Sequence, residues 1–259
     1  MKLHVATTLT YRFGGPTQTI GLIQAAKSPD QTIIEDSLSC EPRTSLKCEV
    51  DTDGTQRFRA SLVGEVAITY SATVDNGQRQ LLPPQGRQHL WSDLPLEVLP
   101  YLLPSRFCPS DRFQRFAQRE FGGAGDGVAR VMAILGWVHD HIDYVAGTST
   151  AETTAAETFM TRAGVCRDFT HLTISLCRAL SIPARAVSAY AFALQPPDFH
   201  AIAEVYLEGA WWLVDATRLA PVEGMVRIAH GRDAADIAFL TTDQACQVMS
   251  QVIEVTEVA

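Results

Sequence analysis

No apolar run in this chain approaches the ~18–20 residues that cross a bilayer as a helix, so no helical membrane span is expected. Basic residues are in deficit. Twenty-one Lys and Arg against 29 Asp and Glu give a formal net charge of −8, which argues against a general nucleic-acid surface. Arg112, Arg115 and Arg119 recur at helical spacing and read as a solvated helix face. No Cys-x-x-Cys pair occurs among the cysteines at 40, 48, 108, 166, 177 and 246, so a structural zinc site is not expected. Cys40 and Cys48 could face each other across a hairpin, but two reduced thiols is the better reading for a cytosolic chain. That location follows from a further absence. Met1-Lys2-Leu3-His4-Val5 runs straight into an alternating, threonine-rich stretch, with no apolar leader core and no small-residue cleavage site, and a cytoplasmic protein is expected. Repeats and low-complexity tracts are missing too.

What remains is a composition of 46% hydrophobic and 19% charged residues over 259 positions, enough for one large domain or two modest ones. Residues 1–80 read as an antiparallel β domain, a small β-sandwich. The runs Leu3–Tyr11, Thr32–Ser39, Gln56–Ala60 and Glu65–Val74 are divided by turn signals at Gly14-Gly15-Pro16, Ser28-Pro29-Asp30, Asp53-Gly54 and Asn76-Gly77. Asp51-Thr52-Asp53-Gly54 resembles the start of a calcium loop, but Leu62 stands where the closing glutamate belongs, and a hairpin turn is expected. A crossover over 81–109 carries six of the thirteen prolines.

From 110 to 259 the pattern turns helical. Helices are expected over Asp111–Phe121, Val128–Ile142, Ala151–Met160 (capped by Thr148-Ser149-Thr150) and Cys166–Leu180, the last with Phe169, Leu172, Leu176 and Leu180 on its inner face. Strands follow at Ala184–Leu194, Phe199–Leu207 and Trp211–Ala216, and a final one at Val248–Val258.

Cys166, His200 and Asp215 lie in order within about fifty residues. A thiol needs a base to become a good nucleophile, and the base needs a partner that fixes its tautomer, so this order reads as cysteine-dependent acyl transfer. Gly164 permits a sharp turn just before Cys166, which begins a helix. There the macrodipole and free N–H groups favour thiolate and can receive an oxyanion. Asp168, in the first helical turn, suits the dipole and can support the preceding loop. Local context alone favours reading Cys166 as a small buried hydrophobe, as it does for Cys177.

A lone His200 on a strand is usually just a polar residue at a sheet surface. The pairing register alters that reading. With Glu208-Gly209 as a two-residue turn, Leu207 faces Ala210 and Ile202 faces Asp215, which makes His200 the diagonal neighbour of Asp215 on one face. His139 and His141 lack the i, i+4 spacing of a metal pair, His171 is turned away from Cys166, and His230 is peripheral. A zinc site made of Cys166, His200 and Asp215 is the weaker alternative, and no metal or cofactor is expected.

The stretches Ala163-Gly164-Val165-Cys166-Arg167-Asp168-Phe169, Cys177-Arg178-Ala179-Leu180-Ser181-Ile182-Pro183, His200-Ala201-Ile202-Ala203-Glu204-Val205, Trp212-Leu213-Val214-Asp215-Ala216-Thr217 and Gly231-Arg232-Asp233 together resemble the core of the bacterial transglutaminase-like superfamily. The N-terminal region is similar to the β-rich domain that often precedes it. The resemblance implies an α+β, papain-like core, helices packed on an antiparallel sheet, behind the small sandwich. It implies Cys166 as nucleophile, His200 as base and Asp215 as third member, and a peptide or protein substrate. Ile202 stands where related sequences commonly carry tryptophan, and Ala216 where they carry proline, departures that reshape the acyl-binding groove. Water as acceptor would make a peptidase or amidase, the favoured reading. An amine acceptor would make a protein-glutamine transglutaminase, and a third reading is a non-catalytic peptide-binding module. Loops Gln195–Asp198 and Leu219–Met225 are expected to carry specificity.

Overall fold

Leu3, Val5, Thr7 and Leu9 alternate with polar neighbours, and their common face is buried in one long strand, β1 (Lys2–Gly21). The structure is a computed structural model and describes residues 1–77 and 79–258. After β1 come β2 (Thr32–Glu41), β3 (Lys47–Val50) and β4 (Gln56–Asp75), then α1 (Gln114–Phe121), α2 (Val128–His141), β5 (Asp143–Tyr144), α3 (Ala155–Thr161) and β6 (Ala163–Gly164). The chain continues through α4 (Cys166–Ala179), β7 (Ala184–Ala191), β8 (Phe199–Leu207), β9 (Ala210–Val214), β10 (Met225–Gly231), β11 (Leu240–Thr242) and β12 (Cys246–Glu257).

The turn expected at Gly14-Gly15-Pro16 does not form. β1 continues through it, with Phe13 opposite Gly64 and Thr17 opposite Leu62 of β4, so three residues face Val63 alone and make a bulge. A bulge accepts both the proline, which has no N–H to give the ladder, and the left-handed Gly64 (φ 73°) across from it. The runs Gln56–Ala60 and Glu65–Val74 are accordingly one strand, β4. The expected sandwich takes the form of one six-stranded antiparallel sheet: β1 and β4 pair centrally, β2 and β3 flank β4, and β11 and β12 flank β1. The C-terminal strand thus exists, but it completes the N-terminal sheet instead of extending the 110–259 core. Cys40 and Cys48 are free thiols opposite Ile68 and Phe58 of β4, far apart along that strand, so they do not face each other.

The crossover contains short 3-10 turns at Trp91–Asp93 and Leu99–Leu102. Beyond it, α4 is the centre of the core. Every residue from Asp168 to Arg178 is buried, so the helix has no solvent face of the kind the four-residue stripe predicts. Helices α1, α2 and α3 pack on it, as do β7 and β8 of a four-stranded antiparallel sheet in the order β10-β7-β8-β9. The cap of α3 is Thr154, not the 148–150 cluster; Glu157 accepts from the Thr154 N–H at 2.7 Å in a capping box. β10 has no counterpart among the expected strands.

Candidate active site

Three local devices deliver Cys166 to the start of α4. β5 and β6 form a two-residue parallel ladder in which Tyr144 pairs with Gly164 and fixes the approach of the chain. Gly164 is required by contact: a Cβ there would lie 2.7 Å from Asp168 Cβ. Asp168, fully buried, accepts from the Val165 N–H at 2.8 Å, from the Ser149 hydroxyl, and from Arg167 Nη2 at 3.2 Å. Its carboxylate therefore ties the residue before the cysteine to the first helical turn. Cys166 is half-buried, whereas Cys108 and Cys177 are enclosed and burial pushes both thiols up to about 12.

The β8–β9 hairpin turns through Glu208 (φ 52°) and Gly209 (φ 79°), the left-handed pair that a tight two-residue turn needs. Leu207 faces Ala210 and Ala203 faces Val214, the register expected from the sequence. His200 Nε2 lies 2.8 Å from Asp215 Oδ2, and both side chains are buried. Nδ1 has no aligned hydrogen-bond partner, and the Cys166 thiol neighbours the ring. Burial alone would lower the His200 pKa; the hydrogen bond to Asp215 and the proximity of Cys166 override it and raise the value to about 9.

Thr217, a residue the sequence reading passed over, locks the carboxylate. Its N–H donates to Asp215 Oδ1 at 2.8 Å, and its hydroxyl lies 2.8 and 2.9 Å from the two oxygens. The Asp-x-Thr spacing of an Asx turn carried that signal. Tyr144 was also missed, and nothing local in the sequence marks it. Its hydroxyl neighbours the Cys166 backbone and thiol, and burial together with Cys166 pushes it up to about 12. Asp198, two residues before His200, accepts from the Phe199 N–H at 2.7 Å and from Gln251 Nε2 of β12 at 2.5 Å.

The other histidines serve packing. His139 Nδ1 lies 3.2 Å from the Ala216 carbonyl. His171 stacks on Phe107 with centroids 5.2 Å apart and accepts from the Ala234 N–H at 3.1 Å; burial drops it to about 4. His230 lies 3.5 Å from Asp53 at a crevice of about 450 Å³ between the four-stranded sheet and loops of the N-terminal region. That crevice is lined by an ion network joining the four-stranded sheet to the β1–β2 loop, in which Arg227 meets Glu204 at 2.6 Å and Asp30 at 3.1 Å and Arg185 meets Glu204 at 2.6 Å. Its lining includes none of Cys166, His200 and Asp215.

Residues 114–216 match the transglutaminase-like superfamily, and residues 1–83 match the bacterial transglutaminase N-terminal domain. A crystal structure of a protein from Cytophaga hutchinsonii, described as a candidate cysteine protease, superposes with a TM-score of 0.91 at 39% identity, over 99% of this chain and 90% of that one. An uncharacterized protein of Mycobacterium leprae is 24% identical over 88% of each chain. The periplasmic domain of TgpA from Pseudomonas aeruginosa aligns at 19% identity over 83% of this chain and 77% of its own, with a TM-score of 0.43. With both segments matched in order and a near-full-length relative superposing on the whole fold, this chain belongs to the transglutaminase-like superfamily, its core preceded by a bacterial-transglutaminase N-terminal domain.

Proposed function

We propose that this protein is a cysteine-dependent acyl-transfer enzyme that hydrolyses amide bonds in a peptide or protein substrate through a thioester on Cys166. The observation that carries the reading is the His200 ring, clamped on Nε2 by Asp215 and neighboured by the Cys166 thiol. A pKa near 9 lets His200 hold the thiol proton as imidazolium at neutral pH. The thiolate attacks the amide carbonyl. Imidazolium returns the proton to the departing amine as the C–N bond breaks, leaving the thioester. His200 then deprotonates a water that attacks the thioester carbonyl, and the thiolate departs as the carboxylic acid forms. Asp215 fixes the ring and moves no proton. The Cys166 backbone N–H, at the start of α4, would receive the oxyanion. Hydrolysis is preferred to amine transfer because the superposing Cytophaga protein is described as a candidate cysteine protease. The cytoplasm is the proposed compartment, in keeping with six unpaired thiols.

The test is alkylation by iodoacetamide from about pH 5 to about pH 9, with the modified cysteine located by mass. Labelling of Cys166 below neutrality that His200→Ala abolishes supports the reading. Labelling no faster than that of Cys246, and indifferent to His200, refutes it. Amine incorporation into a glutamine peptide, with little free acid formed, would replace the hydrolase by a transferase.

A further inference from the structure

Asp198 is an acidic side chain near the site to which the mechanism above gives no role. It immediately precedes β8, two residues before His200, a spacing that extended backbone would make about 6.7 Å. Two donors converge on a single oxygen, Oδ1: the Phe199 N–H at 2.7 Å and Gln251 Nε2 at 2.5 Å. The carboxylate is thereby fixed in place while Oδ2 has no partner from either donor. No Lys or Arg pairs with Asp198 among the described residues, in contrast to Asp168, which Arg167 neutralises. Gln251 comes from β12, so the N-terminal sheet itself positions this group beside the reacting residues. Asp198 itself is exposed to solvent; partial desolvation raises its pKa, the Phe199 and Gln251 hydrogen bonds oppose that rise, and the His200 charge opposes it least.

The charges around the thiol then add up to an excess of one sign. A thiolate, an imidazolium and the Asp215 carboxylate sum to one negative charge, and Asp198 makes the excess larger. A carboxylate held by neutral donors two residues from the proposed base attracts a positive group and repels a negative one.

We propose that Asp198 is a specificity-determining residue, and that the site selects substrates bearing a cationic group, a lysine or arginine side chain or a free α-amine, within about one residue of the scissile amide. This rests on the Cys166–His200 reading for the reaction, but the selection is measurable without knowing the substrate. The probes are two methanethiosulfonates of similar size, one ending in trimethylammonium and one in sulfonate. Each converts the Cys166 thiolate to a mixed disulfide and releases methanesulfinate. Rates at Cys166 in the full chain are followed by mass and divided by the rates of the same reagents with a small free thiol.

At low ionic strength the cation-to-anion ratio at Cys166 is expected to exceed the free-thiol ratio by about fivefold or more, because an exposed unit charge near the site alters the two reagents' rates in opposite directions and salt screens it. Asp198→Asn, which preserves shape and an oxygen acceptor, should lower that ratio at least about threefold, and Asp198→Glu should retain most of it. Thermal unfolding of each variant shows whether it is folded. A wild-type ratio equal to that of the free thiol overturns the proposal, and so does an Asp198→Asn ratio unchanged from wild type. Neither result bears on catalysis, which stands or falls on the His200-dependent labelling by neutral iodoacetamide.

Discussion

Replacing Gly164 by alanine tests whether the loop before Cys166 is held by contact. The residue needs no left-handed backbone, so alanine is conformationally acceptable and would by itself stabilise the chain by about 0.4–1 kcal/mol through the unfolded state. The new methyl would stand 2.7 Å from Asp168 Cβ and 3.0 Å from its Oδ2. Asp168 cannot retreat, because it is fully buried and its carboxylate holds Val165, Ser149 and Arg167. Overpacking of this kind costs about 1–3 kcal/mol, which leaves a net loss of roughly 1–2 kcal/mol. For a chain of this size that is a fall in Tm of roughly 2–8 °C. The effect on the thiol should be larger in proportion, since any shift of Asp168 releases the Val165 N–H and re-aims the first turn of α4. Iodoacetamide labelling of Cys166 should slow by about tenfold or more, the sensitivity expected of a site displaced by a fraction of an ångström. Gly136→Ala in α2, where a Cβ meets nothing within 4 Å, is the control and should hold or raise Tm. A Gly164→Ala protein with unchanged Tm and labelling rate would refute the argument.

The buried His200 gives a pH signature. Its folded pKa of about 9 exceeds the unfolded value near 6.5, so its stabilisation is complete below about pH 6.5 and is lost as the pH rises through about 9. The unfolding free energy of wild type minus that of His200→Gln should fall by up to about 3 kcal/mol across that window in urea titrations, and a flat difference would contradict the assignment. Thr217→Val removes the hydroxyl bonded to Asp215 but keeps the N–H; labelling of Cys166 should slow several-fold with a stability loss of about 1 kcal/mol, and Thr217→Ser should restore it. Arg178→Met strips donors from the carbonyls of Leu103, Ala184 and Arg232, which tie the crossover, β7 and the loop after β10 to α4. The loss should be about 3–5 kcal/mol in the same urea titrations, and a midpoint within error of wild type would show that water replaces the arginine at no cost.

The candidate site was legible because its parts are local in sequence and joined by one short hairpin. Glu208-Gly209 fixes the register, and the register sets Asp215 diagonal to His200; no distant contact had to be guessed. Asp168 and Gly164 likewise act within five residues of each other. What escaped the sequence reading depends on partners far along the chain. Tyr144 reaches Cys166 only because β5 pairs with β6, and a two-residue ladder leaves no periodicity to detect. Gln251 meets Asp198 only because β12 crosses back to the N-terminal sheet, and alternation in Val248–Val258 reveals a strand without naming its neighbour. Gly14-Gly15-Pro16 was misread for a different reason. The same residues suit a turn and a bulge, and the pairing of Phe13 with Gly64 decides between them. The stripe on α4 underestimated burial because Thr170, Thr173 and Ser175 are enclosed, and Thr170 and Ser175 place their hydroxyls on backbone carbonyls where the sequence suggests water.

The return of β12 brings the N-terminal sheet to Asp198 and also predicts what happens when the strand is removed. Truncation after Ala245 takes away a ladder with β1 from Leu3 to Phe13 and, among the described residues, one buried side chain, Ile253, beside the half-buried Cys246 and Val255. The ladder's hydrogen bonds are largely offset by the entropy of ordering the strand, so the cost should be near that of burying one isoleucine, about 1.5–3 kcal/mol. The sheet should stay docked, because other buried bonds hold it to the core. The Tyr190 hydroxyl donates to the Ile23 carbonyl at 2.6 Å, the Ala26 N–H to Arg227 at 2.8 Å, and Asn76 Nδ2 to the Met225 carbonyl at 3.0 Å. Two consequences separate this account from one in which β12 is essential. The truncated chain should fold at low concentration yet self-associate as concentration rises, since β1 becomes a long bare edge. Its Cys166 should keep His200-dependent labelling, because Gln251 touches Asp198 and not the base. Sedimentation velocity over a concentration series, with labelling on the same samples, reads both. An unfolded truncation product, or one that is folded and monomeric at every concentration, would show that the ladder has been weighed wrongly.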